Sequence, residues 1–153
     1  MNLAELHAAV TRTLASKRLG TPVFVRYLLH GQDKAGTAST RLAQITAVVR
    51  DWIGQGLERV YAVGTEKAGS ANLTLEFQGG ATALVCWTNS PGRGPGVDLL
   101  LLGNHGAIYH DAGTAMLFDE PAGMLTDVPP ADLQALVERA LRSGRPEMAG
   151  GKP

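Results

Sequence analysis

The sequence VDLLLLG, residues 97–103, is apolar on both of the faces that a β-strand presents. Side chains alternate between the two faces of a strand, so Leu100 and Leu102 fall on one side while a valine and two further leucines fall on the other. Two apolar faces are typical of a strand that is buried on both sides. The segment therefore predicts a strand whose sheet is covered on both faces.

Two predicted hairpins surround this strand. The segment NLTLEFQ, residues 72–78, alternates apolar and polar side chains, and two glycines then form a tight turn into ATALVCWT at 81–88. After residue 103 a polar turn leads into AIYHD at 107–111, and a short piece around AMLF at 115–118 predicts an additional edge strand. The middle of the chain is thus expected to form a mainly antiparallel sheet.

Three segments have the apolar spacing of amphipathic helices: residues 3–17, a second helix capped by Ser39 or Thr40, and residues 129–143. Segments rich in branched and aromatic residues predict strands at 22–30 and 58–65. This order indicates an α+β fold with an open-faced, mainly antiparallel sheet and helices packed on one face. Its other face then needs a different cover, either a partner chain over Leu100 and Leu102 or the chain's own loops.

Length and composition limit the classes of function. The 153 residues fit a single α+β domain at 1–143, followed by a glycine- and proline-containing tail at 144–153 that we expect to be disordered. The formal net charge is zero and basic runs are absent, so we expect no nucleic-acid partner. A membrane span and a secretory signal are also missing, which predicts a cytoplasmic protein without a membrane partner. The single cysteine, Cys86, excludes an internal disulfide.

Four segments in a fixed order carry a resemblance to a known family. They are LASKRLGTPVFVRYLL (14–29), VVRDWIGQGLERVYAVG (48–64), LTLEFQGGATALVCWT (73–88) and VDLLLLGNHGAIYHD (97–111). Together they resemble the C-terminal domain of the glucose–fructose oxidoreductase and inositol dehydrogenase-like family. The resemblance extends from about Thr11 to Asp111.

The resemblance implies a dinucleotide-binding domain that this chain does not show. Family members carry G-x-G-x-x-G after their first strand and, further on, a catalytic lysine, whereas this sequence starts where that domain would already have ended. Its one glycine cluster, GRGPG at 92–96, opens no helix and contains a proline, so no convergent N–H groups are expected for a pyrophosphate. We therefore expect no cofactor.

The family's proton-transfer residues also have no counterpart. The resemblance assigns the aspartate position to Thr40, the histidine position to Gln44 and a following acidic position to Ala47, and none of these side chains is a general base at neutral pH. No histidine or acidic residue occurs between Asp33 and Asp51, so a shift in alignment does not restore one. The chain is expected to be inactive alone.

An alternative function is a small carbohydrate-binding protein or enzyme that uses a cleft near Arg26 and His30. These two residues fall on one face of the strand at 22–30, and a guanidinium can hold a carboxylate or phosphate. A salt bridge from Arg26 to Glu58 or Glu76 is the structural alternative. Trp87 could serve as a stacking platform for a sugar, or else belong to the core.

Two further groups of side chains have types that could carry chemistry. His105 and His110 flank a turn and are followed by Asp111, but a metal site there needs a particular turn register, and turn polarity explains them as well. Cys86 lies between apolar neighbours and is predicted to be a buried apolar residue instead of a nucleophile. We expect no metal.

The resemblance implies how the second face of the sheet is used. In this family the C-terminal sheet commonly forms the subunit interface, open face against open face. The expected partner is a second copy of the chain, with Leu100 and Leu102 in the interface, or else a separate dinucleotide-binding subunit. The predicted function is therefore a non-catalytic oligomerisation or accessory domain.

Overall fold

A computed structural model describes residues 2–31, 38–89, 95–111 and 128–150. Within these residues lie the helices α1 (Leu3–Ala15), α2 (Ala38–Ile53) and α3 (Ala131–Ser143). The strands are β1 (Pro22–Gly31), β2 (Leu57–Gly64), β3 (Ser70–Phe77), β4 (Thr82–Asn89), β5 (Gly96–Gly103), β6 (Gly106–His110) and β7 (Glu147–Met148). Residues 92–94 of the glycine cluster, the loop at 32–37 after β1, and the predicted edge strand at 115–118 lie outside the described residues.

The helix ends follow from local sequence signals. Before α1, the Asn2 side chain accepts a hydrogen bond from the Glu5 N–H at 2.9 Å, and the Glu5 carboxylate accepts one from the Asn2 N–H at 2.9 Å. This reciprocal pair satisfies two N–H groups that the helix leaves unpaired. Because α2 already begins at Ala38, Ser39 and Thr40 lie in its first turn, and the prediction that one of them caps the helix is wrong.

The strands form one sheet in the order β6-β5-β1-β4-β3-β2-β7. The predicted hairpins β3–β4 and β5–β6 are confirmed, and both are antiparallel. The pair β1–β4 is parallel because α2 and the β2–β3 hairpin intervene between these strands and allow the chain to return in the same direction. The predicted α+β class with a mainly antiparallel, open sheet is confirmed.

Helices pack on one side of this sheet. On β1, Val25, Tyr27 and Leu29 are buried beneath them, whereas the alternate residues of the strand are mostly half-buried on the opposite side. From α1, His7 contacts both Tyr27 and Trp52 of α2, and α3 packs against α2 and β2. We call the first side the helix face and the second, which no described helix covers, the open face.

Strand β5 has the two apolar sides that its sequence predicts. Val97, Leu99 and Leu101 are completely buried on the helix face. Leu100 and Leu102 are half-buried on the open face. In the sheet β5 lies between β1 and β6, next to the edge strand.

The expected disordered tail is wrong for residues 147–148. These residues form β7, which pairs antiparallel with β2 through Arg59 and Val60, and the Ala149 N–H donates to the Glu58 carbonyl at 2.8 Å. Gly144 makes the preceding turn possible, since it ends α3 in the left-handed conformation that glycine adopts without strain. No helix in the described part of the chain is long and apolar enough to cross a membrane.

Candidate interaction face

Strand pairing arranges the open face in rows across the sheet. In the central row Leu100 of β5 pairs with Arg26 of β1, which pairs with Leu84 of β4. The rows on either side contribute Phe24 and Leu102 at one end and Leu28 at the other. We call the five apolar side chains of these strands the apolar patch: Phe24, Leu28, Leu84, Leu100 and Leu102. All five are half-buried.

The neighbouring half of the open face differs in chemistry. On β3 it presents Asn72, Thr74 and Glu76. Glu76 pairs with Arg59 of β2, with the guanidinium Nε 3.0 Å from the carboxylate. This ion pair is exposed, and its hydrogen bond and charge raise the pKa of Arg59. The apolar patch lies on β1, β4 and β5, and the same face also exposes Tyr109 of β6, which pairs with Leu100, and Tyr61 and Val63 of β2.

Arg26 lies inside the apolar patch, and no described carboxylate accepts a hydrogen bond from its Nε atom. This atom is buried and has no hydrogen-bond acceptor among the described residues. The predicted alternative of a salt bridge to Glu76 is wrong, because Glu76 pairs with Arg59 on the other half of the open face. A buried guanidinium N–H without an acceptor costs free energy of folding.

The side chains of His30 and Asp98 lie within ion-pair distance of each other at one edge of the patch. His30 Nε2 lies 3.1 Å from Asp98 Oδ2, and the two side chains are 11% and 19% exposed. The ring's Nδ1 is buried and has no partner among the described residues. Arg26 and His30 share the open face, as period-two counting predicts, and a ligand role for them stays a prediction. The sequence reasoning missed Asp98, although it alternates in phase with Leu100 and Leu102.

Trp87 lies on the opposite side of the sheet from Arg26 and His30. It pairs with Leu29, is 1% exposed, and faces the helices. The prediction that Trp87 is a stacking platform on the same site is therefore wrong. Alternation along β4 is the reason: the odd positions of this strand are buried under helices, and the even ones, including Cys86, lie on the open face.

Cys86 lies beside the apolar patch, paired with Leu28 in the β1–β4 register. It is half-buried, and this burial raises the pKa of its thiol, while the charge of Arg26 acts more weakly in the opposite direction. The thiol is therefore protonated at neutral pH and behaves as a small apolar group.

On the helix face a buried polar cluster joins α1, α2 and β1. His7 Nε2 lies 2.7 Å from the Tyr27 hydroxyl, and the imidazole packs edge-on against the Trp52 ring. The Trp52 indole N–H donates to Thr11 Oγ1 at 3.3 Å. Burial lowers the pKa of His7 to about 4 and raises that of Tyr27. His7 is thus neutral at pH 7 and holds α1 against the sheet.

The positions that the resemblance assigns to proton transfer lie on α2. Thr40 lines a cleft of about 800 Å³ between α2, α3 and the turn after β2. Its described lining carries hydroxyls, an amide and charged side chains but no histidine, and Gln134 donates to Ser39 Oγ at 3.1 Å within it. Gln44 is buried and accepts from Arg41 at 3.4 Å. Ala47, further along α2, adds no titratable group.

The two histidines of the possible metal site lie at opposite ends of β6. His105 is exposed in the turn before this strand, and His110 ends it, paired with Leu99 on the helix face. In the portion of the chain that the structure describes, no three histidine, cysteine, aspartate or glutamate side chains come close enough to hold a metal ion.

No protein-family model matches the sequence, and no curated protein matches it. Several solved structures, however, are similar to this chain in fold. Scyllo-inositol dehydrogenase from Lactobacillus casei, with bound NAD(H) and scyllo-inositol, superposes with a TM-score of 0.71 at 10% identity over 95% of this chain and 62% of its own. Myo-inositol dehydrogenase from the same organism gives 0.67 at 14% identity over 96% and 60%. The chain has the fold of the part of these inositol dehydrogenases that it covers.

A probable dehydrogenase from Thermotoga maritima gives a similar result, a TM-score of 0.65 at 13% identity over 94% of this chain and 62% of its own. The chain thus spans about three-fifths of the length of these three dehydrogenase structures. At such low identity the likeness is one of fold. It confirms, at that level, the resemblance that the four sequence segments indicate.

Proposed function

We propose that this chain is a non-catalytic oligomerisation domain that pairs with a second copy of itself through the open face. The single observation that carries the proposal is the apolar patch at the centre of a sheet face that no described helix covers. Contiguous half-buried apolar side chains at the surface are typical of protein interaction sites. The related fold supports this use, because the sequence resemblance implies a face-to-face pairing of such sheets.

The size of the face is sufficient for a stable pair. The strands β1 to β6 have between 5 and 10 residues. At about 4.8 Å between strands and about 3.4 Å per residue, such a sheet presents roughly 29 by 27 Å, or about 800 Å². A standard interface buries about 800 Å² on each partner. One copy against another therefore buries enough surface without help from a further domain.

A second copy fits the chemistry of the patch better than a charged partner does. The chain has a formal net charge of zero, so two copies approach without net repulsion. An apolar patch is complementary to a second copy of itself, and pairing about a two-fold axis buries both copies of the patch. The expected product is a closed dimer.

The residues on α2 support a non-catalytic role. Thr40, Gln44 and Ala47 occupy the positions where the resemblance calls for acids and a histidine, and none of them transfers a proton near neutral pH. We expect NAD(H) titration of the chain to give no binding tighter than about 1 mM and no turnover with inositol. Binding below that concentration would contradict the non-catalytic assignment.

Sedimentation equilibrium of the full chain tests the pairing. We expect a dimer at about 10 µM. Leu100→Glu places a carboxylate inside the apolar patch and should yield a folded monomer. Ala135→Glu places the same group at an exposed position of α3, on the other side of the sheet, and should remain a dimer. Circular dichroism of both variants checks that they are folded.

A wild-type chain that stays monomeric at about 100 µM would overturn the homodimer. Dimers that persist equally in the Leu100→Glu variant would place the contact elsewhere. A wild-type monomer that binds a separate dinucleotide-binding subunit, with the binding lost in Leu100→Glu, would replace self-pairing by the accessory role.

A further inference from the structure

The open face carries two charged residues of opposite sign inside or beside its apolar patch. Arg26 occupies the centre of the face, between Leu100 on one neighbouring strand and Leu84 on the other. Asp98 lies on β5, one row further along, where it pairs with Leu28. The two residues are thus diagonal neighbours across the β1–β5 pair.

The Arg26 side chain has a buried N–H group with no hydrogen-bond acceptor nearby among the described residues. Its Nε is buried without a partner in the described part of the chain. Pairing two such faces would also remove water from the part of the half-buried Arg26 side chain that is still accessible, which is costly unless the partner provides a carboxylate. Arginine at the centre of an interface commonly contributes much of its binding energy when it is matched in this way.

In a two-fold symmetric dimer, Asp98 of the second copy can supply this carboxylate, because it lies on the same face of the sheet as Arg26. Two positions of the two-fold axis, both in the plane of the interface, bring the residues together. In the first, the axis runs parallel to the strands and between β1 and β5, and Asp98 of the second copy then lies over Leu28 of the first. In the second, the axis runs perpendicular to the strands, between the rows of Arg26 and Asp98; Arg26 of the first copy then lies over Leu28 of the second, one strand away from the second copy's Asp98. In both cases the lateral offset is about 5 to 7 Å, within the reach of an arginine side chain.

We propose that Arg26 of each copy forms an ion pair with Asp98 of the other, so that the dimer contains two such pairs and a fixed register. This inference rests on the proposed homodimer and names the polar contact that determines its geometry. A carboxylate has two oxygens with about four acceptor positions, so Asp98 can accept from His30 within its own chain and from the second copy's guanidinium. The apolar patch supplies affinity, and the crossed pairs select one packing among many.

A charge exchange between two versions of the chain tests the contact. R26D puts acid against acid at both crossed contacts of its own dimer, and D98R puts base against base. Each variant alone should self-associate at least about 100-fold more weakly than the wild type. An equal mixture should form a heterodimer in which both contacts again join opposite charges, with an affinity within about tenfold of the wild type.

The matched controls are R142D and E138R, which make the same charge changes at exposed positions of α3, on the other side of the sheet. Their self-association, alone and mixed, should stay within about threefold of the wild type. Thermal unfolding of every variant identifies any chain that fails to fold. D98R loses its contact with His30 and could fail to fold for that reason. In that case the exchange is repeated with two other chains: one carries R26D, and the other carries both Asp98→Lys and His30→Gln.

The outcomes separate the two proposals. A wild-type monomer would overturn the homodimer itself. A wild-type dimer whose R26D and D98R variants self-associate normally, or whose mixture forms no heterodimer, would leave the homodimer in place and overturn the crossed ion pair. Selective heterodimer formation by the mixture supports both.

Discussion

His30 and Asp98 meet across two adjacent central strands, with Nε2 and Oδ2 3.1 Å apart, on the face of the sheet that no described helix covers. Their side chains are largely shielded from solvent. Asp98→Asn removes the charge of the acceptor while keeping its shape, and we expect it to lower the free energy of unfolding by about 1–2 kcal/mol. Chemical denaturation below the concentration at which the chain dimerises measures this change.

The matched control for Asp98→Asn is Glu76→Gln on the same face. Glu76 pairs with Arg59 at an exposed site, where water screens the interaction. No measurable change in stability is expected. Equal effects of the two substitutions would contradict the structural importance of the His30–Asp98 pair.

Adjacent leucines of β5 should respond differently to truncation. Leu99 is fully buried on the helix face, so Leu99→Ala leaves a cavity and should cost about 3 kcal/mol of unfolding free energy. Leu100 lies half-buried in the apolar patch, so Leu100→Ala should cost less than about 1 kcal/mol in the monomer but weaken self-association at least about tenfold. Urea denaturation and sedimentation of the two variants separate the effects, and identical behaviour of both would refute the assignment of the two faces.

His7 should make the stability of the protein depend on pH. Its pKa is lowered from 6.5 to about 4 by burial, so between these values the unfolded chain binds a proton that the folded chain does not. Stability is therefore fully present above pH 6.5 and falls as the pH decreases towards 4, by about 2–3 kcal/mol from this residue. Denaturation at pH 7 and pH 4.5 measures the loss.

His7→Gln should reduce that loss, because glutamine does not titrate, even though the variant starts from a lower stability. His105→Gln, in the exposed turn before β6, is the control and should retain the wild-type pH dependence. A pH dependence that is the same in all three chains would rule out His7 as its source.

Gly103 ends β5 where the chain passes close to the segment after α1. A Cβ atom at this position would overlap the carbonyl oxygen of Leu19, which also accepts a hydrogen bond from the His105 N–H at 3.0 Å. Gly103→Ala should therefore destabilise the fold by about 1–3 kcal/mol, since the backbone has to move. In Gly69→Ala the nearest atom, the Asn89 carbonyl oxygen, is 3.9 Å away, and thermal unfolding should show little change.

Much of the fold could be predicted because its signals are local. Alternation in NLTLEFQ, the following glycine turn and the amphipathic spacing of α1 and α3 each depend on residues within one element, and the structure has these elements close to the predicted positions. The short β7 escaped prediction because residues 147–148 have no strand pattern of their own and become a strand only by pairing with β2.

The candidate site shows the same division. The sequence by itself determined that Leu100 and Leu102 share one side of β5 and that Arg26 and His30 share one side of β1, since side chains in a strand alternate with a period of two. Only the tertiary structure decided that these two sides are the same face, that Asp98 reaches His30 across 68 residues of sequence, and that Trp87 is turned away from them. Periodicity fixes the orientation of a side chain within its own strand, whereas the pairing and register between distant strands arise from the packing of the whole sheet.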